Sequence, residues 1–209
     1  MGKHDHLSKL PITERYPEEV WRAANYAATA HQEQIRKLSG RHFIEHPFEV
    51  LELVKRVTDD VATQQAAILH DTVEDTSVTF EDLREQFGDE VAVIVWGVTK
   101  DDDIEDRLER KQAYLDRLQH QAPEESVLIA VADKLHNLTD QIENYKKLGD
   151  AMWRHFSSPP MEQVQWFRAV LDIGRARIPD CPLLDELEAK IETFRVIALG
   201  AVACKDLAV

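Results

Sequence analysis

The sequence predicts an all-α protein, a compact helical bundle, and three observations carry that prediction. Gly and Pro are sparse, 7 and 8 among 209 residues, while Ala, Leu, Glu and Gln are frequent. Runs of β-branched residues that would mark strands are scarce. Apolar residues recur at helical spacing along the chain.

Pro17 followed by Glu18 and Glu19 resembles a helix start, with acids at the positive end of the helix dipole. Val20, Ala24, Ala27 and His31 then recur on one face, so this helix is expected to run to about Ile35 and break at Ser39-Gly40. His31 on that apolar face reads as a buried structural histidine. Pro47 suits the first turn of a second helix, whose apolar face is Val50, Leu51, Val54 and Val57. The stretch from Val61 to Val73 is nearly apolar until His70 and predicts a central buried helix. Thr79 and Asp82 form a capping-box-like start, and Phe87-Gly88 provides the stop.

Val91 to Val98 has strand propensity, but no partner strand is evident and its neighbours are helical, so a buried helix is expected. Asp101 to Asp106 reads as a solvated acidic loop. Helices follow at roughly 107–121 and 124–147. Trp153, Phe156, Trp166 and Phe167 around Pro159-Pro160 suggest a helical pair joined by a Pro turn, with the aromatics as core. A last helix is expected at 183–199. Residues 17–147 are thus expected to form the functional core, 148–200 helices that complete the same domain, and 1–16 and 201–209 tails. The apolar tail VIALGAVACKDLAV either docks on the core or forms a homo-oligomer interface.

Composition narrows the function. A hydrophobic fraction of 44% with 31% charged residues is that of an ordinary globular protein, not a disordered one. The net charge of −14 argues against a nucleic-acid partner, which requires clustered cations to displace phosphate counterions. It does not exclude a small-molecule nucleotide substrate, because a bound metal and a few local cations override the average. No apolar run approaches the roughly 18 residues of a membrane span, and no leader-like segment opens the chain. Cys181 and Cys204 stand apart without CxxC spacing, which fits a reducing, cytoplasmic setting. His4 and His6 in the polar N-terminal segment read as incidental.

The strongest chemical signal is HDTVEDT at 70–76. If the helix persists, His70 and Glu74, and likewise Asp71 and Asp75, lie one turn apart on shared faces. Four ionisable groups on a buried helix would cost several kcal/mol unpaired, on the order of known burial penalties, and a divalent cation would satisfy them. Asp133 stands in the otherwise apolar stretch Val127 to Leu138, with Asn137 one turn on, and His46 opens a helix at Glu45-His46-Pro47. Two imidazoles and two carboxylates, from His46, His70, Asp71 and Asp133, make a mixed N/O site. Such a site suits Mn²⁺, Fe²⁺ or Zn²⁺ better than Ca²⁺. Open positions would admit water and a phosphate oxygen, as metal-assisted hydrolysis requires. Arg36-Lys37 ahead of Ser39-Gly40 are either an exposed basic helix end or a phosphate-binding surface.

These residues resemble a known family. The order His46, His70-Asp71, Asp133 is similar to the HD superfamily of metal-dependent phosphohydrolases. The blocks AHQEQIRKLSGRHFIEHPFEV (30–50), AAILHDTVEDT (66–76), FGDEVAVIVWGVTK (87–100), ERKQAYL (109–115) and VADKLHNL (131–138) resemble the hydrolase domain of RelA/SpoT alarmone enzymes and the stand-alone small alarmone hydrolases. The resemblance implies an all-helical, Mn²⁺-dependent guanosine 3′,5′-bis(diphosphate) 3′-pyrophosphohydrolase of the stringent response. It assigns the metal to His46, His70, Asp71 and Asp133, and handling of the attacking water to Glu74 and Asp75. Glu74 is expected to transfer the proton, with Asp75 as orienter or second base. Arg36, Lys37, Ser39 and Asn137 would bind the nucleotide. The chain departs from the family at Thr139, where an Arg is frequent, at Asp140, which adds negative charge near a nucleotide phosphate, and through 145–172. Two other functions fit the same ligand set: an HD phosphohydrolase for another nucleotide or phosphate ester, and a catalytically idle regulatory metal-binding module.

Overall fold

The structure is a computed structural model that describes residues 16–36 and 38–206. In chain order the elements are α1 (Glu18–Ala30), α2 (Glu45–Lys55), α3 (Val61–Leu69), α4 (Thr72–Asp75), α5 (Phe80–Phe87), α6 (Asp89–Val98), α7 (Arg107–His120), α8 (Glu124–Leu148), a 3₁₀ segment (Gly149–His155), α9 (Pro160–Arg177) and α10 (Leu183–Asp206). Among the described residues, β pairing is confined to one isolated antiparallel bridge, Ile35 with His42. The all-helical expectation holds.

Two helices occupy the centre. In α3, Ala66, Ala67, Ile68 and Leu69 are fully buried, and α1, α2 and α6 pack around them. The apolar run of α8 from Val127 to Ala132 is buried on all sides by α2 and α6 on one flank and α9 and α10 on the other. Helix α10 docks through Leu187, Ile191, Phe194, Ala198 and Ala201, leaving Val196 and Leu199 exposed. Phe167 of α9 packs against Phe194, as expected of a core aromatic. Trp166 is only partly buried and lies beside Tyr114, with ring centroids 5.4 Å apart.

Helix ends follow local chemistry. The capping box on α5 is complete: Thr79 Oγ1 accepts from the Asp82 amide at 3.2 Å, and Asp82 Oδ2 accepts from the Thr79 amide at 2.8 Å. Gly88 then supplies a backbone at φ +91°, closed to most side chains. Residues Val91–Val98 are helical, as expected. The last acid of the 101–106 run, Asp106, is the N-cap of α7, accepting from the amides of Leu108 and Glu109 at 2.9 Å.

Two expected helices are shorter than their patterns suggest, and both corrections shape the site. Helix α1 stops at Ala30 rather than near Ile35, because the next residues pair with themselves. The Arg36 amide bonds the Arg41 carbonyl at 2.9 Å, the Phe43 amide bonds Gln34 at 2.9 Å, and Gly40 turns the loop at φ +68°. The helix expected over Val61–Val73 breaks after Leu69, because two side chains take carbonyls near its end. His70 Nδ1 bonds Ala67 O at 2.8 Å, and the Thr72 hydroxyl donates to Leu69 O at 2.7 Å. The break places His70 and Asp71 at a corner. The aromatic segment after Gly149 opens as a 3₁₀ turn instead of a full helix.

Candidate metal centre

Four polar side chains converge where α2, the α3–α4 corner and α8 meet. His46 lies in the first turn of α2, His70 and Asp71 form the corner, and Asp133 projects from α8. Both imidazoles are 3% exposed, while the Asp133 and Asp71 side chains are 11% and 18% exposed. His46 Nε2 stands 3.3 Å from Asp71 Oδ2 and 3.2 Å from Asp133 Oδ1. His70 Nε2 is 3.2 Å from Asp71 Oδ2 and 3.9 Å from Asp133 Oδ1.

These spacings suit a cation. Two ligands about 2.1 Å from one ion and at right angles to each other are about 3.0 Å apart. The donor atoms of His46, His70 and Asp71 all lie within 4.8 Å of one another. His70 Nε2 is buried and, although Asp71 Oδ2 stands 3.2 Å away, makes no aligned hydrogen bond among the described residues. Asp133 is not one of those three; it stands beside them, engaged by the Lys134 ammonium and by the Asn137 amide.

Metal-free, the cluster is strongly coupled. Burial alone would lower the His70 imidazole, but the carboxylates of Asp71 and Asp133 outweigh it and push it up to about 9. Asp71 is held well below the usual carboxylate range: burial opposes its ionisation, and the His70 and His46 imidazoles beside it overcome that opposition. Asp133 is lowered too, with Lys134 the leading counter-charge against burial. A divalent ion would replace these protons, since a ligating imidazole must be neutral.

A second cluster lies against the first. Arg36 donates to Asn137 Oδ1 at 3.0 Å and pairs with Asp140 Oδ2 at 3.3 Å, while Arg41 pairs with Asp140 Oδ1 at 3.4 Å. Asp140 is therefore held between two guanidiniums, a setting that its place in the sequence does not show. Arg36 Nη1 is buried without a partner. Arg36, Asn137 and Asp140 line a cavity of about 450 Å³ with Gln34, Phe43, Asp75 and Phe156. Asn137, Gln141 and Phe156 also wall a neighbouring cavity of about 450 Å³ that carries Lys100, Lys111, Lys134 and Trp166.

The two expected acids face different surroundings. Glu74 bonds the Lys100 ammonium at 2.5 Å and the Lys100 amide at 3.2 Å. Asp75 lines the Arg36 cavity, its backbone carbonyl held by Gln34 Nε2 at 2.5 Å. Burial in that concave wall, with the charges of Asp71 and Glu74, pushes the Asp75 carboxyl up to about 6. Ser39 does not line the cavity; its hydroxyl accepts from the Arg41 amide at 3.4 Å. Lys37, His4 and His6 lie outside the described residues. His31 is 1% exposed, stacked on Phe43 and bonded to Gln34 at 2.8 Å, as expected of a structural histidine. The sequence reading missed Arg41, Lys100 and Lys134. Lys134 had a local signal, a cation directly after a buried acid, whereas Arg41 and Lys100 meet their partners only across the fold.

The HD-domain family pattern matches residues 23–155. A Xenopus tropicalis protein named guanosine-3′,5′-bis(diphosphate) 3′-pyrophosphohydrolase MESH1 is 40% identical over 124 residues, 58% of this chain and 68% of that protein. An Aquifex aeolicus guanosine-3′,5′-bis(diphosphate) 3′-pyrophosphohydrolase is 36% identical over 142 residues, 68% of this chain and 19% of that protein. A solved structure titled as a metazoan ortholog of SpoT that hydrolyzes ppGpp superposes with a TM-score of 0.72 at 28% identity, covering 85% of this chain and 97% of that one. The match spans the converging histidines and aspartates, both acids and the arginine loop, so the chain belongs to the HD-domain family, alongside the MESH1 proteins.

Proposed function

We propose that this protein is a metal-dependent phosphohydrolase that removes the 3′-diphosphate of guanosine 3′,5′-bis(diphosphate) and its pentaphosphate analogue, giving GDP or GTP and pyrophosphate. The observation that carries this reading is the direct abutment of a cation-binding cluster and a cationic cradle, joined through Asn137. That residue donates to Asp133 and accepts from Arg36.

In this reading His46, His70, Asp71 and Asp133 hold the metal, and Mn²⁺ is the ion assigned. When bound, it supplies Lewis-acid polarisation of the phosphoryl oxygen and a water of lowered pKa. Arg36 presents its unpaired Nη1 to a phosphate, while Asp140 keeps the two guanidiniums in register. Phe43 and Phe156 offer apolar walls to the nucleoside, and the adjoining lysine cavity suits the remaining phosphates. Water attacks the phosphorus attached to the 3′ oxygen, the O3′–P bond breaks with its electron pair going to the 3′ oxygen, which takes up a proton, and pyrophosphate and GDP or GTP are released. Asp75, in the cavity wall with a raised pKa, is the group placed to take the proton of that water. Glu74 anchors Lys100, which reverses the order of the two acids expected from sequence. A reducing, cytoplasmic setting is supported by the free, buried thiol of Cys181. Among the described residues, no helix is long and apolar enough to cross a membrane.

The test is a product assay on the purified protein with Mn²⁺, using guanosine 3′,5′-bis(diphosphate), common nucleotides and a generic phosphodiester. Equimolar GDP and pyrophosphate from the first substrate alone is the expected result. Turnover only of the other esters would sink the assignment.

A further inference from the structure

His46 and His70 both turn Nε2 toward the cluster, yet their other nitrogens are held differently. His70 Nδ1 bonds the backbone carbonyl of Ala67 at 2.8 Å. That carbonyl can only accept, so His70 must carry hydrogen on Nδ1 and leave Nε2 free to ligate. His46 Nδ1 instead meets the side chain of His136, Nδ1 to Nδ1 at 2.7 Å, with ring centroids 4.8 Å apart and planes inclined by 40°. Two imidazole nitrogens at that distance share one hydrogen. Were it on His136, His46 would carry its own on Nε2, facing Asp71 and Asp133, and could not ligate a cation.

We infer that His136 is a positioning residue whose Nδ1 accepts the Nδ1–H of His46, fixing the tautomer that presents His46 Nε2 to the metal. This inference rests on the metal-centre reading above. His136 is placed for the task by helix periodicity: it follows Asp133 by three residues on α8, so one helix supplies both an expected ligand and the tether of another. The arrangement differs from His70 in one respect that matters experimentally. A backbone tether survives any substitution, whereas this one is a side chain.

Mn²⁺ binding to the whole protein, followed by the electron paramagnetic resonance signal of the free aqua ion, tests it. His136→Phe keeps an aromatic ring and removes the acceptor, and should weaken Mn²⁺ binding by about 10- to 100-fold. His136→Asn places Oδ1 where Nδ1 stands and should restore affinity to within about threefold of wild type, a recovery that loss of packing would not give. Equal affinity in the Phe variant and wild type overturns the tether but leaves the metal centre intact. Absence of Mn²⁺ uptake by wild type overturns the metal centre, and the tether with it. Should the Phe variant fail to fold, ¹⁵N spectra of the Zn²⁺-loaded wild-type protein decide alone. Hydrogen on His46 Nδ1 and on His136 Nε2 is expected, and hydrogen on His136 Nδ1 refutes the assignment.

Discussion

The histidine–aspartate cluster and the arginine cradle lie on opposite sides of Asn137 and are built from opposite kinds of side chain. In the cluster, the partly buried carboxylate of Asp71 and the buried one of Asp133 face the His46 and His70 imidazoles, with Lys134 and the Asn137 amide on Asp133. In the cradle, Arg36 and Arg41 share the carboxylate of Asp140, and Arg41 also pairs with Glu45 at 3.3 Å. The buried Arg36 Nη1 of the cradle has no hydrogen-bond partner among the described residues. In the proposed reading a metal ion occupies one side and an oligophosphate the other, and Asn137 bonds to both halves. The proposal rests on that contact rather than on either half alone.

The comparison can be broken most forcefully on the metal side. Asp71→Asn should abolish stoichiometric Mn²⁺ and bring hydrolysis down to background while the helical circular-dichroism spectrum persists, and Asp133→Ala should behave the same. Metal retained at full stoichiometry in either variant would remove that residue from the ligand set. The next largest effect separates the two acids. Asp75→Asn should keep the metal and lower kcat by about 10²- to 10⁴-fold, the usual worth of a positioned proton acceptor. Glu74→Gln should cost less, because it loosens Lys100 rather than removing that acceptor. Steady-state kinetics showing the reverse order would return the proton-transfer role to Glu74.

On the cradle side, Arg36→Ala should raise KM by roughly 10- to 100-fold with little change in metal binding, as expected for one charged hydrogen bond to phosphate. Asp140→Asn should raise it only a few-fold, because both guanidiniums remain and only their alignment suffers. An Asp140→Asn variant that binds substrate more tightly would show that the carboxylate repels phosphate after all.

The smallest expected effect is on stability. His70 has a folded-state pKa of about 9, above its ordinary value of 6.5, so the folded metal-free protein binds its proton more tightly than the unfolded chain does. That stabilisation is complete below about pH 6.5 and lost as pH rises through about 9. The metal-free protein should therefore melt a few degrees lower at pH 9 than at pH 6.5. Mn²⁺ should abolish or invert the difference, because the ion ligates the neutral imidazole that high pH supplies. Thermal melts at the two pH values, with and without metal, measure this directly.

Much of the fold was legible because its signals are local. The capping box of Thr79 and Asp82, the stop at Gly88 and the apolar run of α8 each depend on residues within a few positions of one another. So does the strongest site signal, an acid-rich run after an apolar stretch. The errors also have local causes that pattern alone does not weigh. Apolar spacing continues past Leu69 into Val73, yet His70 and Thr72 take the carbonyls near the helix end for their own side chains. Spacing likewise continues past Ala30, where a loop closed by its own backbone bonds displaces the helix.

The sequence by itself determined the helical class, the central helices and the candidate ligating and acidic side chains, because periodicity, capping and the expense of burying charge act over short stretches of chain. Only the tertiary structure decided which of those side chains meet. Arg36 finds Asp140, His46 finds His136, and Glu74 is drawn to Lys100 rather than toward the cavity that Asp75 lines. These pairings join residues far apart in the chain, and the packing of α2, α3, α6 and α8 around a shared core sets their distances. Asp140 shows the same division: in the sequence it is an isolated added negative charge, and only the fold sets it between the guanidiniums of Arg36 and Arg41.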